Sequence, residues 1–111
     1  MKRTFIETTS FRKYADSIDN DLARKIQGSL LKRLNGGDIV RGTGGIRKQR
    51  FEDAGRKKGK RGGLRFLYLD LPHVEKTYLL YLYGKNEKDD ISNEEKKKLR
   101  ALVAALKKEA R

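Results

Sequence analysis

Apolar positions along this chain change period three times, and each change marks a new kind of element. Thr4-Phe-Ile-Glu-Thr8 is short, β-branched and aromatic, which predicts a first strand. Thr9 or Ser10 is then placed to cap a helix that carries Phe11, Tyr14, Ala15 and Ile18 on one stripe. Asp19, Asn20 or Asp21 supplies a second cap. Behind it Leu22, Ile26, Leu30 and Leu34 follow at four-residue steps, with Ala23 and Leu31 widening the same face. Asn35-Gly-Gly-Asp38 predicts the end of that helix, with Gly36 as its left-handed stop. The two helices form a hairpin with one apolar side.

The period then shortens to two. Ile39-Val40 is a brief apolar touch before the turn cluster Gly42-Thr-Gly-Gly45. A second strand is predicted at about residues 46–51, with Lys48 and Arg50 on one face and Gln49 and Phe51 on the other. Residues 53–63 read as a glycine-punctuated loop. A third strand over residues 64–69 sets Arg65, Leu67 and Leu69 against Leu64, Phe66 and Tyr68. Asp70-Leu-Pro-His-Val-Glu75 makes a hairpin connection to a fourth strand, Thr77–Tyr83, whose apolar and aromatic residues throughout suit burial on both faces. After the polar stretch 85–90, Ser92-Asn-Glu-Glu95 is a capping-box sequence. Leu99, Leu102, Val103 and Leu106 mark the stripe of a last helix. The order β-α-α-β-β-β-α predicts an α+β fold: a small, mainly antiparallel four-stranded sheet, an N-terminal helical hairpin and a C-terminal helix, in one domain over residues 1–111.

Charge changes this picture from a fold to a surface. The chain carries 28 Lys and Arg against 15 Asp and Glu, a net charge of +13. Nine of those cations (47, 48, 50, 56, 57, 58, 60, 61 and 65) stand in the 19 residues from Arg47 to Arg65, opposed only by Glu52 and Asp53. Such local charge points to a phosphate-bearing partner, nucleic acid before membrane. The longest uncharged apolar stretch, Thr77 to Gly84, is far below the roughly 20 residues of a membrane span. The N-terminus lacks the apolar run of a secretory signal, and a cytoplasmic address is the default.

Several chemistries lose their footing on residue types alone. Without cysteine there is no thiol nucleophile, disulfide or zinc knuckle. Gly55-Arg-Lys-Lys-Gly59 has three residues between its glycines where a P-loop has four, and Arg61 stands where Ser or Thr would bind magnesium. The single His73 sits beside Pro72 in a turn and reads as a surface residue. Asp89, Asp90, Glu94 and Glu95 lie at a helix start, where capping and dipole matching account for them better than a metal does. The strand cations are different. Lys48, Arg50 and Arg65 converge on one sheet face, where they repel one another unless an anion sits between them. That crowding also draws a lysine towards the neutral form that a general base requires.

Three motifs in order, Gly42-Thr-Gly-Gly-Ile-Arg-Lys-Gln-Arg-Phe, Gly59-Lys-Arg-Gly-Gly-Leu-Arg-Phe-Leu-Tyr and Tyr83-Gly-Lys-Asn-Glu-Lys-Asp-Asp, closely resemble RelE-family toxins of type II toxin–antitoxin systems. The HigB-type branch is the nearest in appearance, and the resemblance covers essentially the whole chain. It implies a ribosome-dependent endoribonuclease that cuts translated mRNA in the ribosomal A site, with no metal or other cofactor. The 2′-hydroxyl attacks the adjacent phosphate, and cationic side chains serve as base, charge stabiliser and acid. By position Lys48 is implied as base, Arg50 and Arg65 as charge stabilisers, and Lys85 as acid or RNA clamp. Arg47, Lys57, Lys58, Lys60 and Arg61 would grip ribosomal RNA through its phosphates.

The pattern departs from the family in three places. Gln49 takes an inward strand position that is usually apolar, and Asn86 follows Lys85 where some members have arginine. No tyrosine or histidine follows Ile91, which leaves Tyr83 and Tyr68 as stand-ins or stacking platforms. The resemblance also implies an acidic cognate antitoxin that covers the basic face or the apolar grooves. Two other functions fit the same fold: an RNA- or ribosome-binding module without cleavage, and a ParE-like gyrase poison, which has no need of a phosphate-cleaving face.

Overall fold

A computed structural model describes residues 3–52, 63–84 and 90–110 of the chain. The elements run β1 (Thr4–Glu7), α1 (Thr9–Ile18), α2 (Leu22–Leu31), β2 (Asp38–Ile39), β3 (Arg47–Phe51), β4 (Leu64–Leu71), β5 (Lys76–Gly84) and α3 (Asn93–Glu109). The five strands form one sheet in the order β1-β5-β4-β3-β2. Only β1 runs parallel to its neighbour; the other three pairings are antiparallel. The class is the α+β one expected. The fifth strand is the two-residue β2, which turns the Ile39 touch into a sheet edge.

Alternation along the strands divides the apolar residues between two cores. Phe51, Leu64, Phe66, Tyr68, Leu79 and Leu82 pack with Phe11, Ala15, Leu22, Ala23, Ile26 and Leu30 of the helical hairpin. Leu67, Leu69, Leu71, Leu80 and Tyr83 turn to the other face and pack with Ile46, Ile91 and Val103. The sheet is thus covered by α1 and α2 on one side and α3 on the other. A bulge opposite Leu67 and Tyr68 lets Leu80 and Tyr81 face the α3 side in succession, so that β5 re-enters its alternation with Tyr81 and Tyr83 on the same face as Arg65 and Leu67.

Several local boundaries differ from the sequence-based expectation, each for a visible reason. The cap of α1 is Thr8, one residue earlier than expected. Its Oγ1 accepts from the Phe11 N–H at 3.1 Å and donates to the Leu80 carbonyl at 2.9 Å, which ties the helix start to β5. Asp21 precedes α2 without a side-chain cap bond, because the local partner runs the other way: Asp19 Oδ1 accepts from the Asp21 N–H. Helix α2 stops at Leu31, which is half exposed, and Leu34 lies beyond its end. Gly36 is not left-handed; among the described residues the positive-φ glycines are Gly63 and the three of the turn at residues 42–45. In that turn Thr43 is fully buried, and its hydroxyl donates to Val40 and accepts from Ile46.

What stops α2 early is a polar anchor on β4. Tyr68 Oη donates to the Leu34 carbonyl at 2.8 Å and accepts from Gln49 Nε2 at 2.8 Å and from the Gly37 N–H at 3.3 Å. Gln49 also donates to the Arg33 carbonyl at 2.8 Å. Carbonyls freed by ending the helix are satisfied by strand side chains, and the chain is led down into β2. This also explains a glutamine at an inward position: its amide completes the buried hydroxyl's bonds. On the hairpin's outer side Arg12 bonds Glu7 at 2.9 Å and Asp16 at 3.2 Å, contacts that raise its already high pKa.

Tyr68→Phe removes one oxygen that serves three partners. We expect it to lower unfolding free energy by about 1–3 kcal/mol, the range for leaving buried polar groups unmatched. Urea denaturation of both proteins measures this. A change below about 0.5 kcal/mol, within the spread of ordinary surface substitutions, would mean the anchor is replaceable by water.

Candidate functional site

Strand β3 begins where the 42–45 turn releases the chain, and its pairing with β4 sets the site. Register places Lys48 opposite Leu67 and Arg50 opposite Arg65. From the other side of β4, Tyr83 pairs with Arg65 and Tyr81 with Leu67. Two rows therefore cross three strands, Arg50–Arg65–Tyr83 and Lys48–Leu67–Tyr81, with their side chains on the α3 face. Directly opposed residues of neighbouring antiparallel strands have Cα atoms roughly 5 Å apart, so Arg50 and Arg65 stand side by side. Arg50 is exposed and Arg65 half-buried, its Nη1 within 3.4 Å of the Leu64 carbonyl.

Among the described residues Lys48 has one acidic contact, and it comes from outside the sheet. Asp38 of β2 is its register partner, and the carboxylate of Asp90 lies 3.6 Å from its Nζ, with the lysine side chain 28% exposed. The Tyr81 hydroxyl donates to Glu95 Oε2 at 3.1 Å, and its ring centroid is 5.6 Å from that of Tyr83 at an interplanar angle of 38°. Tyr83 is almost fully buried and Tyr81 half-buried. Beyond Tyr81 a groove of about 300 Å³ continues between α3 and the start of α1, lined by Leu80, Leu99 and Leu102 with Glu95 and Lys98 at its polar side.

Lys48, Arg50 and Arg65 come together as the alternation required. Arg47 does not join them. It lies on the hairpin side of β3, pairs with Tyr68, and its Nη1 donates to the Gly37 carbonyl at 2.7 Å, so its guanidinium is committed to holding the loop into β2. Lys85, Lys57, Lys58, Lys60 and Arg61 lie outside the described residues. Tyr68 is spent on the anchor of the opposite core, which removes it as a stand-in for a catalytic tyrosine. His73 is exposed, and its Nε2 lies 3.1 Å from the Ala110 carbonyl, far along the chain's other end of the sheet. The capping box of α3 is present with both of its bonds.

Two site residues escaped the reading of the sequence. Tyr81 shares a face with Tyr83 by simple period two, a signal that was available. The contact of Asp90 with Lys48 had no such signal, because it joins residues 42 positions apart through the docking of α3. Among the described residues no group of three or more His, Asp or Glu side chains is arranged to hold a metal ion, and no helix is long and apolar enough to cross a membrane. The clustered cations of the face suit the binding of a phosphate and the balancing of added negative charge on it.

Directly opposed like charges destabilise a sheet by about 0.2–1 kcal/mol, with exposed pairs towards the low end. We therefore expect Arg50→Gln to raise stability by a few tenths of a kcal/mol in low salt, and added phosphate to narrow the gap. Urea melts at two phosphate concentrations test this; a loss of stability would show that the two arginines do not oppose each other.

Comparison with known proteins agrees with this geometry. The family model described as the RelE toxin of the RelE/RelB toxin–antitoxin system matches residues 2–111. Among solved structures, a double arginine-to-alanine mutant of the E. coli toxin RelE in its free state superposes with a TM-score of 0.53. The match covers 80% of this chain and 90% of that one at 11% identity, a likeness of fold alone.

Proposed function

The chain belongs to the RelE toxin family of toxin–antitoxin systems, and from that premise we propose that it is a ribosome-dependent endoribonuclease that cuts translated mRNA in the A site. The observation that carries the reading is the opposition of Arg50 and Arg65 with Lys48 on the same face. A fold gains nothing from two arginines set against each other; a phosphate between them turns the repulsion into two attractions.

In the proposed reaction the 2′-oxygen forms a bond to the neighbouring phosphorus and the bond from phosphorus to the 5′-oxygen breaks. A 2′,3′-cyclic phosphate is left on one fragment and a 5′-hydroxyl on the other. The proton of the 2′-hydroxyl leaves towards Lys48, the one member of the trio able to exchange it, because the guanidinium groups stay protonated throughout. Arg50 and Arg65 balance the charge that accumulates on the pentavalent phosphorus. Lys85, next in sequence to the end of β5, is assigned the 5′-oxygen proton or a clamp on the RNA. Lys57, Lys58, Lys60 and Arg61 are assigned to ribosomal RNA phosphates, whereas Arg47 is better placed as a structural residue. Tyr81, half-buried at the edge of the face, offers a ring against which a substrate base stacks, with the buried Tyr83 ring behind it as support. An acidic antitoxin is the expected partner, and a ribosomal target places the toxin in the cytoplasm.

Arg65 is the residue to remove first. Expression of the wild type is expected to arrest growth and create new in-frame 5′ ends on translated messages. Arg65→Ala is expected to lose both, with cleavage on programmed ribosomes down by roughly 100- to 1000-fold, the cost of removing one preorganised transition-state contact. Arrest without cuts would replace the nuclease reading with gyrase poisoning. Ribosome binding without arrest or cuts would leave a binding module.

A further inference from the structure

Two carboxylates at the start of α3, Asp90 ahead of it and Glu95 in its first turn, each touch the backbone and a site side chain. Asp90 Oδ1 accepts the Ile91 N–H at 2.8 Å and lies 3.6 Å from Lys48 Nζ. Glu95 Oε1 accepts the Ser92 N–H at 2.8 Å, while its Oε2 accepts from the Tyr81 hydroxyl at 3.1 Å. Asp90 shares one oxygen between backbone and Lys48, whereas Glu95 gives one oxygen to backbone and the other to Tyr81. Ile91, between them, is 5% exposed in the core beneath α3, which fixes the turn against the sheet. Capping does not account for the outer contacts, since the box closes through Oε1 and the Ser92 hydroxyl alone.

The residues they reach are the two ends of one row. Lys48 and Tyr81 flank fully buried Leu67 on β3, β4 and β5, and the adjoining row carries Arg65 at its centre. Lys48 needs such a hold. Its four-carbon stem is flexible, and Arg50 and Arg65 drive its nitrogen outward, so that without a partner it would spend its time in solvent. A carboxylate 3.6 Å away, beyond hydrogen-bond distance, restrains that nitrogen at the face by charge alone.

We propose that Asp90 is a positioning residue for Lys48, and that the Asp90–Glu95 turn braces Lys48 and Tyr81 on either side of Arg65 for the cleavage step. This rests on the nuclease reading above. The sign of its effect separates it from plain electrostatics. A carboxylate at a phosphate-binding face opposes substrate binding, so neutralising it for charge alone would help the RNA to bind. Loss of a brace instead slows the reaction once the RNA is bound.

The test is single-turnover cleavage of a translated message on programmed ribosomes by wild type, Asp90→Asn, Asp90→Glu, Lys48→Ala and the Asp90→Asn/Lys48→Ala double variant. Asp90→Asn is expected to lower the rate at saturation by about 10- to 100-fold, the scale set by misplacing a reacting group by about an ångström. Its half-saturating concentration should be unchanged or lower, and Asp90→Glu should recover part of the rate. In the Lys48→Ala background Asp90→Asn should cost nothing further. A wild-type rate for Asp90→Asn, or an equal loss with and without Lys48, overturns the brace. A weaker half-saturation that accounts for the whole effect does so as well. A wild type that cleaves nothing defeats the nuclease reading itself, whereas a cleaving wild type with a silent Asp90→Asn defeats only the brace.

Discussion

Everything in this molecule depends on one strand having two buried faces. Strand β4 sends Leu64, Phe66 and Tyr68 into the core under the helical hairpin, and Leu67, Leu69 and Leu71 into the core under α3. A slip of one residue would exchange the two sets and drive Arg65 towards the hairpin core, so burial on both sides locks the register. Arg65 is the one cation inside that locked strand, at the end where α3 has not yet covered the sheet. Its place opposite Arg50 and beside Tyr83 follows from the packing of residues that never touch a substrate.

Holding cations in this way sets local stability against readiness for an anion. Arg50 and Arg65 repel, and Lys48 adds to the crowding; an anion between them needs no rearrangement of side chains at the moment of reaction. The acids around the face are disposed accordingly. Asp90 attends Lys48, and Glu95 attends Tyr81, whereas no ion pair of Arg50 or Arg65 occurs among the described residues. The two arginines are left open, and the lysine beside them is restrained.

How much could be read from the residues depended on how local each feature was. Alternation at 48, 50, 65, 67 and 69 was legible because a strand period needs no tertiary knowledge, and the stripes of the helices were legible for the same reason. The end of α2 was not. Leu34 continues the four-residue spacing, and only the Tyr68 hydroxyl, 34 residues away in sequence, makes an unwound Leu34 carbonyl the better arrangement. Arg47 was grouped with the RNA-facing cations by charge, but period two sends it to the opposite face from Lys48, where a backbone carbonyl takes it. Asp90 was read as a helix-start acid because its second contact exists only after α3 has docked. The functional reading came from the motifs and their order; composition alone led no further than a phosphate-bearing partner.

The low identity with E. coli RelE, at a shared fold, bears on where function resides. Two cores can be refilled with many apolar sequences as long as volume and alternation are kept, so the fold survives when few residues are shared. A cleaving face has no such tolerance, because its groups must meet one phosphate from several strands. Family membership therefore speaks for the fold and the toxin class, and the proposed chemistry rests on the particular cations, acids and tyrosines of this face. Here the division follows the elements. The paired arginines come from the β3–β4 register, the lysine proposed to exchange a proton from β3 beside a short edge strand, and its restraint from Asp90 before α3. The helix that closes the second core thereby also sets the geometry of the face beyond its N-terminus.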